Sequence, residues 1–131
     1  MRIDLNGKTA LVTGSGRGIG KAIADAFAEN GATVVYSDLD ERSAREAAGS
    51  DGIAFELDVT NQEQVDRVVP EIAAVHGLDI LVNNAGVNTL ANRVTVDEFP
   101  REEWDRIIAV DLNGLFQVST VGAAELKKRG G

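Results

Sequence analysis

The residues that most constrain this chain are Thr13-Gly14-Ser15-Gly16-Arg17-Gly18-Ile19-Gly20, set between an apolar run, Thr9-Ala10-Leu11-Val12, and an alanine-rich stretch from Lys21 to Asn30. A strand that ends in a glycine turn and reopens as a helix commits the chain to a β–α unit. Gly14 lets the backbone turn sharply off the strand, while Gly18 and Gly20 let main chain approach a ligand and the helix lie close to the sheet. The helix start then offers unpaired N–H groups and a positive dipole end, a cradle for a dinucleotide pyrophosphate. The spacing is Thr-Gly-x-x-x-Gly-x-Gly and not G-x-G-x-x-G, whose last position would fall on Ile19 or Lys21. Short glycine patterns recur by chance, so on this octet alone an ordinary glycine-rich turn stays open.

The rest of the chain repeats the same alternation. Strands are expected at Thr9 to Thr13, Thr33 to Ser37, Ile53 to Leu57 and Ile80 to Val82, the second delivering Asp38 and the third Asp58. Helices are expected from about Gly18 to Asn30, with Gly31 as a left-handed cap, from Glu41 to Ala48, and up to His76, closed by Gly77. Thr60 and Glu63 make a capping box for that third helix, and Pro70 inside it predicts a bend or a break. A loop from Val87 to about Phe99 leads to a last helix over about Arg101 to Lys128, with Pro100 near its start. Strands alternating with helices across short joins imply an α/β fold with a parallel sheet covered on both faces, in a single dinucleotide-binding domain over residues 1–131.

Charge narrows the partners. With 13 basic and 21 acidic residues the net charge is −8, and the one basic cluster is Lys127-Lys128-Arg129. Nucleic acid or an anionic membrane would demand concentrated Lys and Arg, so neither is expected as a partner. An acidic chain that holds an anionic cofactor must do so locally, with backbone amides and a helix end. Cysteine is absent, which excludes disulfides and thiolate metal sites, and no metal site is expected. No apolar run is read as reaching membrane-spanning length and the first residues make no signal peptide, so the cytoplasm is the default address.

Three signals together resemble the short-chain dehydrogenase/reductase family, over the N-terminal half of its fold: the Thr13 to Gly20 turn, Asn83-Asn84-Ala85-Gly86 after strand four, and Asp111-Leu112-Asn113-Gly114 in the last helix. The resemblance implies a Rossmann-type doubly wound sheet, with its four strands in the order 3-2-1-4. It also implies a nicotinamide cofactor held by Gly14, Ser15, Arg17, Gly18, Ile19 and Gly20. Asp38 is expected to accept both ribose hydroxyls of the adenosine and to repel a 2′-phosphate, favouring NAD over NADP. Arg17 pulls the other way, because a basic residue there meets the 2′-phosphate in some related enzymes, and Asp38 could instead be a helix N-cap. Asp58 and the Val59 N–H are similar to the family's adenine-edge contact; the alternative makes Asp58 part of the turn into Thr60. Asn83 is expected to tie neighbouring strands through its amide, while Asn84, Ala85 and Gly86 line the cofactor's ribose, although paired asparagines at a strand end also suit a turn. Asn113 takes the place of a catalytic-set residue that holds a water through a local helix distortion, with a solvent-facing polar residue as the other reading. His76, exposed at its helix end, and Ser119, on the surface or in packing, are set aside.

The family's hydride transfer needs a serine and a Tyr-x-x-x-Lys, expected after a fifth strand. The sole tyrosine, Tyr36, is followed four residues on by Asp40, so neither that motif nor the fifth strand is present. The domain therefore reads as truncated before strand five: the cofactor-binding half of an oxidoreductase acting on a small alcohol or carbonyl compound, inactive alone. The alternative is a stand-alone, non-catalytic dinucleotide-binding module. A methyltransferase has a similar first glycine loop, but Asn83 to Gly86 argues against it. Strand four is expected to end as an unpaired edge, and Trp104, Ile107, Ile108, Leu112, Leu115, Phe116 and Val121 form a stripe that needs a cover, from a partner subunit in a homo-oligomer or from the missing half of the fold.

Overall fold

The computed structural model describes residues 3–89 and 93–130. Four strands, β1 (Thr9–Val12), β2 (Thr33–Asp38), β3 (Ile53–Glu56) and β4 (Ile80–Val82), pair in parallel in the order β3-β2-β1-β4. Registers run Leu11 beside Val35 and Leu81, and Asp38 beside Glu56. Helices α1 (Gly18–Glu29), α2 (Glu41–Ala48) and α3 (Gln62–His76) connect them, and a 3-10 turn at Val96–Glu98 precedes the last helical run. This is the doubly wound order expected from the sequence.

The two faces follow from strand alternation, since successive side chains point to opposite sides. Leu11 and Val35 bury themselves with Leu57, Val65, Val69, Ile72, Leu78 and Val118, against α3 and the last helix. Val12, Val34 and Tyr36 point the other way and meet Ala24, Ile23 and Phe27 of α1 and the alanines ending α2. Parallel strands covered on both faces carry continuous apolar runs, and Thr9–Val12 is buried throughout. Gly31 (φ 95°) and Gly77 (φ 78°) end α1 and α3 in the left-handed region, as their positions suggested.

Three expectations are corrected. Asn61, not Thr60, caps α3: its side chain accepts from Gln64 N at 3.0 Å, while Thr60 turns back to Asp58. Of the two outcomes expected at Pro70 the break is absent: α3 runs from Gln62 to His76, and the buried row Val65, Val68, Val69 and Ile72 holds the helix together across the missing N–H. The last helix is not one regular helix. It comprises α4 (Arg101–Ile107), a π-helical stretch (Ile108–Gly114) and α5 (Leu115–Lys128). Small residues let this run lie tight against the domain: a Cβ on Gly114 would sit 2.6 Å from Val59 Cγ2 in the loop after β3, and one on Gly122 would sit 2.5 Å from Leu81 Cδ2 on β4.

Arg101–Lys128 is also long and apolar enough to cross a membrane by length and composition, which the sequence reading had not allowed for. The reason is that charge gathers at its two ends and leaves the middle apolar. Here that middle packs Val118 and Gly122 into the domain and Val121 against the same core.

Candidate functional site

The C-terminal ends of the strands open into one cavity of about 410 Å³, lined by Gly14, Arg17, Gly18, Ile19, Gly20, Asp38, Leu39, Leu57, Asp58, Val59, Asn84, Ala85, Gly86, Val87 and Val110. In open α/β sheets this crevice, where strand order reverses, is where ligands bind. The reversal here lies between β1 and β4.

The floor is the glycine turn. Gly14 (φ 64°) is left-handed, and a Cβ there would come within 2.8 Å of Ala85 Cα. A Cβ on Gly20 would overlap the Asn84 amide and the Gly14 carbonyl, so the first turn of α1 seats directly on the loop after β4. Gly18 (φ 58°) meets nothing within 4 Å of its missing Cβ; it serves the backbone conformation and leaves open space above it. Arg17 stands at the N-cap of α1 in extended geometry and no side chain caps the helix. The first-turn N–H groups therefore face the cavity without a protein partner from a capping side chain, which is the condition for anion binding at a helix start.

Asp38 stands beside this floor with its carboxylate oriented: Oδ2 accepts from Gly16 N at 3.0 Å and Oδ1 from Asp40 N at 3.2 Å. The capping of α2 falls to Asp40, which accepts from Arg42 N; the Ser43 hydroxyl, first among its causes, holds the Asp40 carboxyl below its ordinary value. Asp38 is thus not the N-cap. Asp58 does serve the turn, accepting from the Thr60 N–H at 2.9 Å and hydroxyl at 2.6 Å, and it also lines the cavity beside Val59.

The strand tie expected of Asn83 falls to Asn84, which also lines the cavity as expected. Asn83 reaches not a strand but Ser119 on α5, donating to its hydroxyl at 2.9 Å. Asn84 makes the tie between strands, donating to the carbonyls of Thr13 at 3.1 Å and Gly14 at 3.0 Å. Thr13, to which the sequence reading gave no role of its own within the turn, organises this junction: its hydroxyl oxygen accepts from the N–H groups of Asn84 and Ala85, both at 3.1 Å. Its signal was its place as the last residue before the glycine turn.

Ser15 lies away from the cavity. It is fully buried, donating to the Val12 carbonyl at 2.7 Å and accepting from Ser37 N at 2.9 Å, and so locks β1 to β2. Asn113 is exposed and lies outside the cavity lining, although the helix distortion implied for its neighbourhood is present as the π-helical stretch. From that stretch Asp111 is the side chain that reaches the loop after β4, where its Oδ1 accepts from Val87 N at 2.7 Å. Arg106 grips the next residue, donating to the Asn88 carbonyl at 2.6 Å. His76 is half-buried rather than exposed, and its carbonyl accepts from the Thr9 hydroxyl at 2.9 Å.

A family model described as short chain dehydrogenase matches residues 8–131. The chain belongs to that family. A sorbitol dehydrogenase of Cereibacter sphaeroides is 45% identical over 95% of this chain and 48% of its own length. The crystal structure of a Brucella melitensis 3-ketoacyl-(acyl-carrier-protein) reductase complexed with NADH superposes with a TM-score of 0.89 at 34% identity, covering 97% of this chain and 53% of that one. A gluconate 5-dehydrogenase from Burkholderia cenocepacia in complex with NADP and tartrate gives 0.88 at 38% identity, over 98% and 52%. The chain spans about half the length of the curated relatives it matches.

Proposed function

We propose that this chain is the cofactor-binding part of an NAD(P)-dependent oxidoreductase that acts on a small-molecule alcohol or carbonyl compound. The observation that carries the reading is the uncapped start of α1 facing the same cavity as the oriented Asp38 carboxylate. A diphosphate fits the first and an unphosphorylated ribose the second. The bound nicotinamide would accept or deliver the hydride; the chain's own residues bind and orient it. Gly14, Gly18, Ile19 and Gly20 supply the diphosphate floor, Arg17 the positive charge at its edge, Asp38 the ribose contact, Asp58 and Val59 the adenine edge, and Asn84 to Gly86 the wall of the second ribose. The serine and the Tyr-x-x-x-Lys of the family's chemistry have no counterpart in these 131 residues. We assign the proton transfer to residues outside them, and Asn113 to the part of the site those residues would complete.

NAD is preferred over NADP on this reading. A carboxylate held by two main-chain N–H groups at the ribose position repels a 2′-phosphate, and on this reading its fixed charge outweighs the exposed, unanchored Arg17 in the same lining. A stand-alone binding module would need polar cover over β4 and the last helix; Leu112, Leu115 and Phe116 are 57%, 45% and 69% exposed, which favours an incomplete enzyme that associates as an oligomer. Calorimetric titration with both cofactors tests the proposal. Asp38→Ala is expected to weaken NAD by about tenfold and NADP far less, the loss of one or two hydrogen bonds to a charged acceptor. Unchanged discrimination removes Asp38 from the ribose site, and failure of the parent chain to bind either cofactor removes the proposal. In the same samples no alcohol-dependent NADH formation is expected.

A further inference from the structure

The loop that follows β4 is held from the helix side as well as from the sheet. Asp111 takes the Val87 N–H and Arg106 takes the Asn88 carbonyl. Arg106 is neutralised by Glu103 at 3.2 Å, whereas none of the ion pairs among the described residues includes Asp111. Its carboxylate therefore brings a net negative charge to this rim. Asp111 is exposed and does not itself line the cavity; it stands directly behind the lining, where Val110, Gly86 and Val87 face the cavity and a Cβ on Gly86 would lie 3.4 Å from Asp111 Oδ1. On the reading above, Asp38 takes the adenosine ribose over β2 and the glycine turn takes the diphosphate over β1. The nicotinamide end is then left to the exit of β4, which is this rim.

We propose that Asp111 biases the site towards the oxidised cofactor, its carboxylate favouring the cationic nicotinamide ring of NAD+ over the neutral ring of NADH. A carboxylate attracts a unit positive charge and is close to indifferent to a neutral ring, and the two cofactors share the adenosine, the diphosphate and both riboses. The π-helical stretch is what turns this residue to the loop: π insertions widen a helix locally and recur where a side chain is aimed at a functional site. The inference rests on the nicotinamide reading of the cavity.

The test is titration of the 131-residue chain with NAD+ and with NADH, for the parent and for Asp111→Asn. Asparagine keeps an oxygen to accept the Val87 N–H and removes only the charge. The expected result is a Kd for NAD+ that rises roughly threefold relative to that for NADH, the scale of one solvent-screened charge pair, with an unchanged unfolding midpoint. The difference should shrink as salt is raised. A ratio of the two Kd values that stays put, or an equal loss for both cofactors, overturns the proposal and leaves Asp111 as a brace for the loop. A parent chain that binds neither cofactor overturns the site reading and this inference with it.

Discussion

Tyr36 shows how one residue can carry a readable signal for the whole core. It is buried on β2 and donates to Asp25 Oδ1 at 2.9 Å, while Lys21 pairs with the other oxygen of that carboxylate at 2.6 Å. Burial, first, and then the Asp25 carboxylate push its phenol up to about 12. A raised acid contributes stability that is whole below the unfolded value of about 10 and is lost as pH climbs through the folded one. Stability should therefore fall between pH 10 and about 12 by an amount that Tyr36→Phe abolishes. Because Tyr36 is the sole tyrosine, the ultraviolet absorbance of the phenolate reports it alone, and ionisation near pH 10 in the folded chain would contradict the buried bond. The glycines separate in the same way. Gly14→Ala meets both a left-handed backbone and Ala85, whereas Gly18→Ala meets the backbone cost alone, about 1–2 kcal/mol. Urea unfolding should thus rank Gly14→Ala as the more damaging, and equal losses would mean that the turn relaxes away from Ala85.

At the scale of elements, α3 is a helix that tertiary packing carries through an unfavourable residue. Pro70 withholds an N–H from the Asp66 carbonyl, yet the helix continues because one face of it is buried against the sheet. Pro70→Ala should raise stability by about 2 kcal/mol, the helix-interior penalty of proline less the entropy that its ring removes from the unfolded chain. A lower unfolding midpoint would show that the ring packs into the α3–α5 seam more usefully than the hydrogen bond it blocks. That α5 ends where it does has its own cause. Arg129 pairs with Asp79 at 3.1 Å, and this guanidinium, first, and the Thr9 N–H hold the Asp79 carboxyl below its ordinary value. The pair fastens the end of the last helix to the base of β1 and β4.

For the whole molecule, the decisive property is how little of the last helix is covered. Trp104, Leu112, Leu115 and Phe116 remain exposed, and β4 is an edge of the sheet. An apolar face of that extent favours association, so sedimentation velocity is expected to show self-association that rises with concentration and is abolished by Leu115→Glu with Phe116→Glu. A parent chain that sediments as a monomer would sink this expectation. The order of strands, the two-faced layering and the cavity at the strand ends were all legible in the sequence. The strands themselves, the layering and the turn at the strand end depend on local signals, which are apolar runs, glycine at the turns and Asp38 at the end of its strand, whereas the order of strands was legible only through the family resemblance. What only the tertiary structure decided is where individual polar side chains point. Whether Asn83 or Asn84 crosses to β1, whether Ser15 faces ligand or core, and whether Asp111 or Asn113 meets the loop all depend on partners distant in sequence. The π-helical stretch adds to this by turning its side chains away from the directions a regular helical period assigns, and it forms where Gly114 must settle against Val59.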